Sequence, residues 1–268
     1  RKTWEKGDTQ FRGGSGPLGT QYARTDDPLY LACKEAGRAL GFPMSEDFNG
    51  EMPEGFGRSQ YSIINGRRSS TATAYLAPAR SRKNLQVLTN ATVLSIDLEK
   101  NRARSVRVQT DGQTRTIHAE REVIVSGGTY NTPKILMLSG IGPADHLEEM
   151  GIRPRVDLKV GENLQDHIAV YNMYERKGPA SPIRGSMRLD RISLAMVQAY
   201  LFGTGVGTVV PGGLLAFIKT EAGLELPDIE FMFRGMPFDA DIWFPGIKRR
   251  YEDGFGIRPC LLYPESRG

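Results

Sequence analysis

The spacing of apolar residues changes period several times along this chain, and each change marks an element. Leu29, Cys33, Ala36 and Leu40 share one helical face, with Asp27 and Pro28 before them and Gly41 after. That order predicts an amphipathic helix with an acidic cap, proline in its first turn and glycine at its end. A second helix is expected over about Ser70 to Ala79, leading into a short strand at Leu85-Gln86-Val87-Leu88. Leu94, Ile96 and Leu98 then alternate with Val93, Ser95 and Asp97, the period of a half-buried strand. Ser105 to Thr110 reads as the next strand, Asp111-Gly112 as a hairpin turn, and Thr114 to His118 as the returning strand.

The continuous apolar run Val123-Ile124-Val125 predicts a buried strand. It ends in Ser126-Gly127-Gly128, where missing β-carbons allow a ligand or another backbone to approach. Thr132 is placed as a hydroxyl cap, Pro133 as the first residue of a helix, and Gly140 as its stop. A further helix is expected from Leu189 to Phe202, followed by the glycine-rich run Gly203 to Gly213. Strand-like segments follow at Leu214 to Lys219 and Asp228 to Phe233, then a stretch bearing Pro, Trp and Phe to Tyr251. Strands of parallel, buried type beside an antiparallel meander give an α/β domain joined to a second domain, α+β overall.

Composition narrows the class. The chain has 268 residues, enough for a substantial core, and its 39% hydrophobic and 25% charged content is that of a globular protein. A formal charge of +4 is small for this length, and the densest basic spot, Arg80-Ser81-Arg82-Lys83, lacks interleaved aromatics. That spot reads as a solvated loop, and no nucleic-acid partner is expected. Two cysteines, Cys33 and Cys260, cannot build a metal cluster, and Cys33 is expected as a small core residue. No apolar run reaches the length of a membrane span, and the compartment is not legible.

The run from Gly128 to Gly142, continued by Pro143-Ala144-Asp145-His146-Leu147 and Val160-Gly161-Glu162-Asn163-Leu164-Gln165-Asp166-His167, resembles a signature of the glucose–methanol–choline (GMC) oxidoreductases. Asp47-Phe48-Asn49-Gly50, Gly55-Phe56-Gly57, Asn65-Gly66-Arg67-Arg68-Ser69 and Arg82-Lys83-Asn84-Leu85-Gln86-Val87 resemble the same family, as does Pro264-Glu265-Ser266-Arg267-Gly268. The resemblance implies FAD as cofactor and a small alcohol as substrate, with the electron acceptor unknown. It implies an FAD-binding domain over 64–168, and an antiparallel sheet backed by helices in a substrate-binding domain formed mainly by 1–63 and 169–268. It also implies that the family's Gly-x-Gly-x-x-Gly turn and its C-terminal catalytic His are missing, so the chain is expected to be an internal fragment, inactive alone.

By that resemblance, the backbone at Val93 meets the adenine end of FAD, and the strand end at Ser126 and Gly127 passes close to the cofactor. No catalytic residue and no metal ligand is assigned. Gly203-Thr204-Gly205-Val206-Gly207-Thr208 is the only glycine-turn lookalike, but it follows a helix, so it is not read as a nucleotide loop. Asn163, Gln165, Asp166 and His167 are expected as a hydrogen-bonded group pinning a domain junction, with His167 structural. His118 and His146 are expected at the surface, and Ser105, where the family has glycine, is expected to act only locally. The leading expectation is hydride transfer from an alcohol CH–OH to flavin N5. The alternatives are a hydroxynitrile lyase-type member that keeps FAD as structure, or a truncated product without catalysis.

Overall fold

The computed structural model describes residues 2–268, which form two compact units. One unit comprises residues 1–82 and 167–264, and the other residues 83–166 and 265–268. The chain is mixed α/β, with its longer strands paired antiparallel.

The larger unit is organised by a six-stranded antiparallel sheet. Gly55–Arg58 forms one edge, followed by Gly212–Ile218, Ile229–Arg234 and Gly254–Leu261. Beyond Gly254–Leu261 two short strands, Ile168–Ala169 and Asn172–Glu175, pair with its two ends. One face carries Phe56, Leu214, Ala216 and Phe233 into the core, where Tyr30 of the helix Pro28–Ala39 meets them. The cap is as expected, since the Asp27 carboxylate accepts from the Leu29 N–H at 3.0 Å. The buried stripe differs from the expected one. Tyr30 and Gly37 are buried with Cys33 packed beside them, whereas Ala36 and Leu40 face solvent. Gly37 lets the helix lie on the Phe56 ring, because a Cβ there would stand 2.8 Å from ring carbons.

Two family-like motifs resolve into backbone contacts. A Cβ at Gly55 would lie 2.3 Å from the Pro43 carbonyl oxygen, and one at Gly57 would lie 2.4 Å from that of Ser45. The glycines therefore allow the segment around Met44 to bridge to Phe56. In the other motif, Asp47 turns its own loop by accepting from the Asn49 N–H at 3.0 Å. It also accepts from Arg12 Nε at 2.8 Å and from Gln60 Nε2 at 2.9 Å. The Arg12 hydrogen bond, assisted by those of Gln60 and the Asn49 N–H, lowers the Asp47 carboxyl from 3.8 to about 2 despite the opposing effect of burial. A depressed carboxyl contributes stability that is complete above its ordinary pKa and lost as pH falls through the folded value. Unfolding midpoints in urea should therefore drop between about pH 4 and pH 2, and Arg12→Gln should flatten that part of the profile. An unchanged profile in the variant would remove Asp47 from the acid response.

The smaller unit contains the meander Thr92–Glu99, Arg102–Thr110 and Gln113–His118. Its second turn is Asp111-Gly112, with φ of 51° and 74°, the left-handed pair that matches strand twist. Ser105 is buried and its hydroxyl donates to Asp97 Oδ2 at 2.8 Å, a local role as expected. The helix Gly128–Leu138 packs on the first meander strand. Ser139 just past its end accepts from the Ile96 N–H at 2.8 Å, and Gly140, at φ 83°, ends it as expected. A short parallel pair, Ile141–Gly142 with Val156–Asp157, follows beside the helix Ala144–Glu149, whose Leu147 is fully buried.

Three expectations in this unit are corrected. Val123-Ile124-Val125 forms no strand and has no strand partner among the described residues, and Ile124 is 78% exposed. A continuous apolar run signals burial without specifying where pairing strands come from. Leu85-Gln86-Val87-Leu88 is likewise irregular and exposed. The helix begins at Gly128, so Pro133 lies inside it instead of at its start. Thr132 still acts as an acceptor, but for the Gly127 N–H at 3.0 Å, across the first turn.

Candidate functional site

Two surfaces matter, one in each unit. In the smaller unit, Val93 sits half-buried on the edge strand of the meander, paired with Val108. An irregularity between Val93 and Ser95 breaks the ladder there, as a bulge would. Ser126 and Gly127 are exposed at the start of the helix Gly128–Leu138. The first N–H groups of a helix have no partner within it. Among the described residues the side-chain hydrogen bond at this end goes to the N–H of Gly127, the residue before the helix, and none caps the helix itself. A Cβ at Gly128, whose φ is 81°, would meet nothing within 4 Å. Open space at a glycine, free amides and the exposed Ile124 side chain together fit a large cofactor that is part apolar and part hydrogen-bonding. The structure brings Val93, Ser126 and Gly127 into one unit and leaves their contacts with a cofactor to be proposed.

In the larger unit, the sheet face opposite the core lines a cavity of about 400 Å³. Strand alternation explains its composition. Phe231 and Phe233 turn to the core, so Glu230, Met232 and Arg234 turn to the other face. Register then sets Leu215, Met232 and Arg258 side by side across three strands. Tyr171 and Phe238 meet edge to face at 4.6 Å between ring centroids. The Arg258 guanidinium lies 5.0 Å from the Tyr171 ring centre and that of Arg234 lies 4.8 Å from the Phe238 ring centre. Burial raises the Glu230 carboxyl above its ordinary value, with the charges of Arg258 and His167 pulling it down. The chemistry of this cavity is an apolar box with one carboxylate and two guanidinium groups.

None of these cavity residues was singled out from sequence. Glu230, Met232 and Arg234 fall in a segment recognised as a strand, and the alternation Glu-x-Met-x-Arg was the available signal. Arg258 lies on Gly254–Leu261, a strand that sequence reading missed. Its Pro259 argues against a central strand. The proline is tolerated because its carbonyl, and so its missing N–H, points toward the break between the two short neighbouring strands, where Val170 N–H donates to it at 3.1 Å.

The remaining candidates behave as follows. Asn163, Gln165, Asp166 and His167 are exposed, and Asn163 takes a left-handed φ of 64°. His167 Nδ1 lies 3.0 Å from the Leu261 carbonyl oxygen. His118 and His146 are exposed, as expected. The glycine-rich lookalike is architecture. Gly203 caps the helix Leu189–Phe202 in the left-handed conformation, and Gly207 packs on that helix, 2.6 Å from the Ala195 carbonyl oxygen to its would-be Cβ. Cys33 packs against the core, where burial pushes its thiol up to about 11. Among the described residues no group of three or more His, Cys, Asp or Glu could hold a metal, and no helix is long and apolar enough to cross a membrane.

Comparison with known proteins agrees with the sequence signatures. Residues 3–169 match the family model for GMC oxidoreductases. The oxygen-dependent choline dehydrogenase of Brucella ovis is 44% identical over 265 residues, covering 98% of this chain and 47% of that protein. The enzyme of the same name from Vibrio vulnificus is 37% identical over 274 residues, covering all of this chain and 47% of its own length. This chain thus spans about half the length of the curated relatives it matches. Among solved structures, pyridoxine 4-oxidase from Mesorbium loti superposes with a TM-score of 0.79 at 27% identity, over 100% of this chain and 48% of that one. Formate oxidase from Aspergillus oryzae reaches 0.83 at 23% identity, over 99% of this chain and 51% of that one, which is a likeness of fold. The chain belongs to the GMC oxidoreductase family.

Proposed function

We propose that this chain is the part of an FAD-dependent oxidoreductase, acting on the CH–OH group of an alcohol, that carries one wall of the cofactor site and one wall of the substrate site. The observation that carries the reading is the cavity on the open face of the six-stranded sheet, in a chain of this family. The functional division proposed is a cofactor domain over 64–168 and a substrate domain over 1–63 and 169–268, and the compact stretch 83–166 lies inside the first span.

FAD, when bound, accepts the hydride that leaves the alcohol carbon. The chain's own residues do the rest of what is proposed here. The Val93 backbone reads the adenine end, and Ser126 and Gly127 bring amide donors and a side-chain-free backbone against the cofactor. The cavity walls orient the alcohol, with Met232 and Leu215 excluding water and Glu230 offering an acceptor for a hydroxyl. No residue of the chain is assigned the role of the base.

The test uses the purified protein that carries this chain, under nitrogen. Its flavin absorbance should bleach on addition of a reactive alcohol and return on admission of an acceptor. A flavin that stays oxidised with a broad panel of alcohols, while the protein cleaves a cyanohydrin, would overturn the oxidoreductase reading in favour of a lyase.

A further inference from the structure

We infer that the substrate cavity selects an alcohol bearing a carboxylate, not a quaternary ammonium alcohol such as the choline named for the relatives. The inference rests on the proposed function for its location, since it takes the cavity on the open sheet face as the substrate site. Three observations carry it.

The first is charge. The cavity's charged lining groups are Arg234, Arg258 and Glu230. With Glu230 ionised the balance is two positive against one negative, a net of one positive, which suits a monoanion. Neither arginine forms an ion pair with a carboxylate among the described residues. The nearest polar contact of Arg258 is Nη1 to the Met232 sulfur at 3.5 Å, a weak acceptor.

The second is the donor geometry. The two Nη groups of a guanidinium form a fork that takes both oxygens of a carboxylate, as those of Arg176 do with Asp27 in this same chain. Arg234 and Arg258 both line the cavity, so an anionic group entering it meets two guanidinium groups that hold no carboxylate among the described residues.

The third is what has become of the aromatic faces. A quaternary ammonium is recognised by stacking its charge on ring faces. Of the aromatic side chains lining the cavity, Tyr171 and Phe238 already have guanidinium groups over them at 5.0 and 4.8 Å. A second cation would meet like charge where it needs π density.

Isothermal titration of the purified protein that carries this chain tests the inference with matched alcohols: 4-(hydroxymethyl)benzoate, its neutral amide 4-(hydroxymethyl)benzamide, and choline. The benzoate should bind about tenfold or more tighter than the amide, the scale of a hydrogen bond to a charged group, and choline should bind weakest. Arg234→Gln and Arg258→Gln should each remove most of that preference, weakening the benzoate far more than the amide. Arg258→Lys, which keeps the charge but loses the fork, should retain part of it. Melting followed by circular dichroism identifies any variant that fails to fold, and the ranking of the three ligands by the unaltered protein then decides alone. Equal binding of benzoate and amide, or tighter binding of choline, overturns the inference. Displacement of the benzoate by inorganic phosphate at lower concentrations than by acetate would replace the carboxylate with a phosphate ester and overturn it too. Because heat is read and not flavin reduction, carboxylate selectivity in a protein whose flavin never bleaches leaves this inference standing and sinks the oxidoreductase reading. Choline-driven bleaching without carboxylate binding does the reverse.

Discussion

Replacing Asp27 with Ala should destabilise the larger unit by about 3–5 kcal/mol, the range found when one partner of a buried ion pair is removed. Asp27 and Arg176 are 7% and 5% exposed at their side chains, and two parallel contacts of 2.8 Å join them. Burial works against the Arg176 charge, but the bond to Asp27 outweighs it, and the guanidinium is held more strongly protonated than usual. Removing the carboxylate would leave that cation buried, 3.3 Å from the Pro179 carbonyl and 3.4 Å from that of Gly235. The same carboxylate caps the helix that closes the core, a role worth about 0.5–2 kcal/mol. The two losses overlap, since one side chain supplies both, so they should not simply add. Asp27→Asn separates them, because the amide oxygen can still cap while the charge is gone. Most of the loss should persist in Asn. Against a total stability of about 5–15 kcal/mol the change is large, and urea midpoints for the three proteins would read it. A shift below about 1 kcal/mol for Ala would mean that the pair's desolvation cost nearly cancels its attraction.

The helix that Asp27 caps illustrates what could be read locally and what could not. Its ends were legible because capping chemistry is written in adjacent residues, and the same holds for Leu189–Phe202 and the Asp111-Gly112 hairpin. Its buried face was not, since whether Tyr30 or Leu40 packs depends on a sheet assembled from residues up to 261. Strands failed wherever pairing had to be supplied from elsewhere. Val123–Val125 has the composition of a buried strand and no ladder, while Gly254–Leu261 contains a proline and yet lies between strands on both sides. The cavity was the least legible feature. Arg234 and Arg258 are ordinary charged residues in sequence, and only the register of Met232 against Arg258 sets them on one face. The family, by contrast, was readable from glycine motifs. At Gly55 and Gly57 a Cβ would run into backbone carbonyls of the neighbouring segment, so those glycines answer to a backbone contact of the fold.

Gly128→Ala, compared with Gly112→Ala, should separate a glycine kept for its backbone from one kept for a ligand. Both residues have positive φ, 81° and 74°, and in both a Cβ would meet nothing within 4 Å. Each substitution therefore imposes the same kind of cost, a left-handed alanine, at about 1–2 kcal/mol, with no steric clash inside the chain. They differ in setting. Gly112 sits in a hairpin turn, while Gly128 follows Ser126-Gly127 at the exposed start of the helix Gly128–Leu138. If the segment at Ser126 and Gly127 passes close to FAD, a methyl group at Gly128 occupies space the cofactor needs, and flavin retention should fall about tenfold or more, equivalent to about 1.4 kcal/mol beyond the strain. The hairpin variant should lose the same stability and keep its flavin. Flavin content per protein after gel filtration, together with a urea midpoint for each variant, supplies both readings. Equal flavin retention in the two proteins would reduce Ser126-Gly127-Gly128 to a turn that makes room for a helix, and would leave Val93 as the only cofactor contact proposed in this chain.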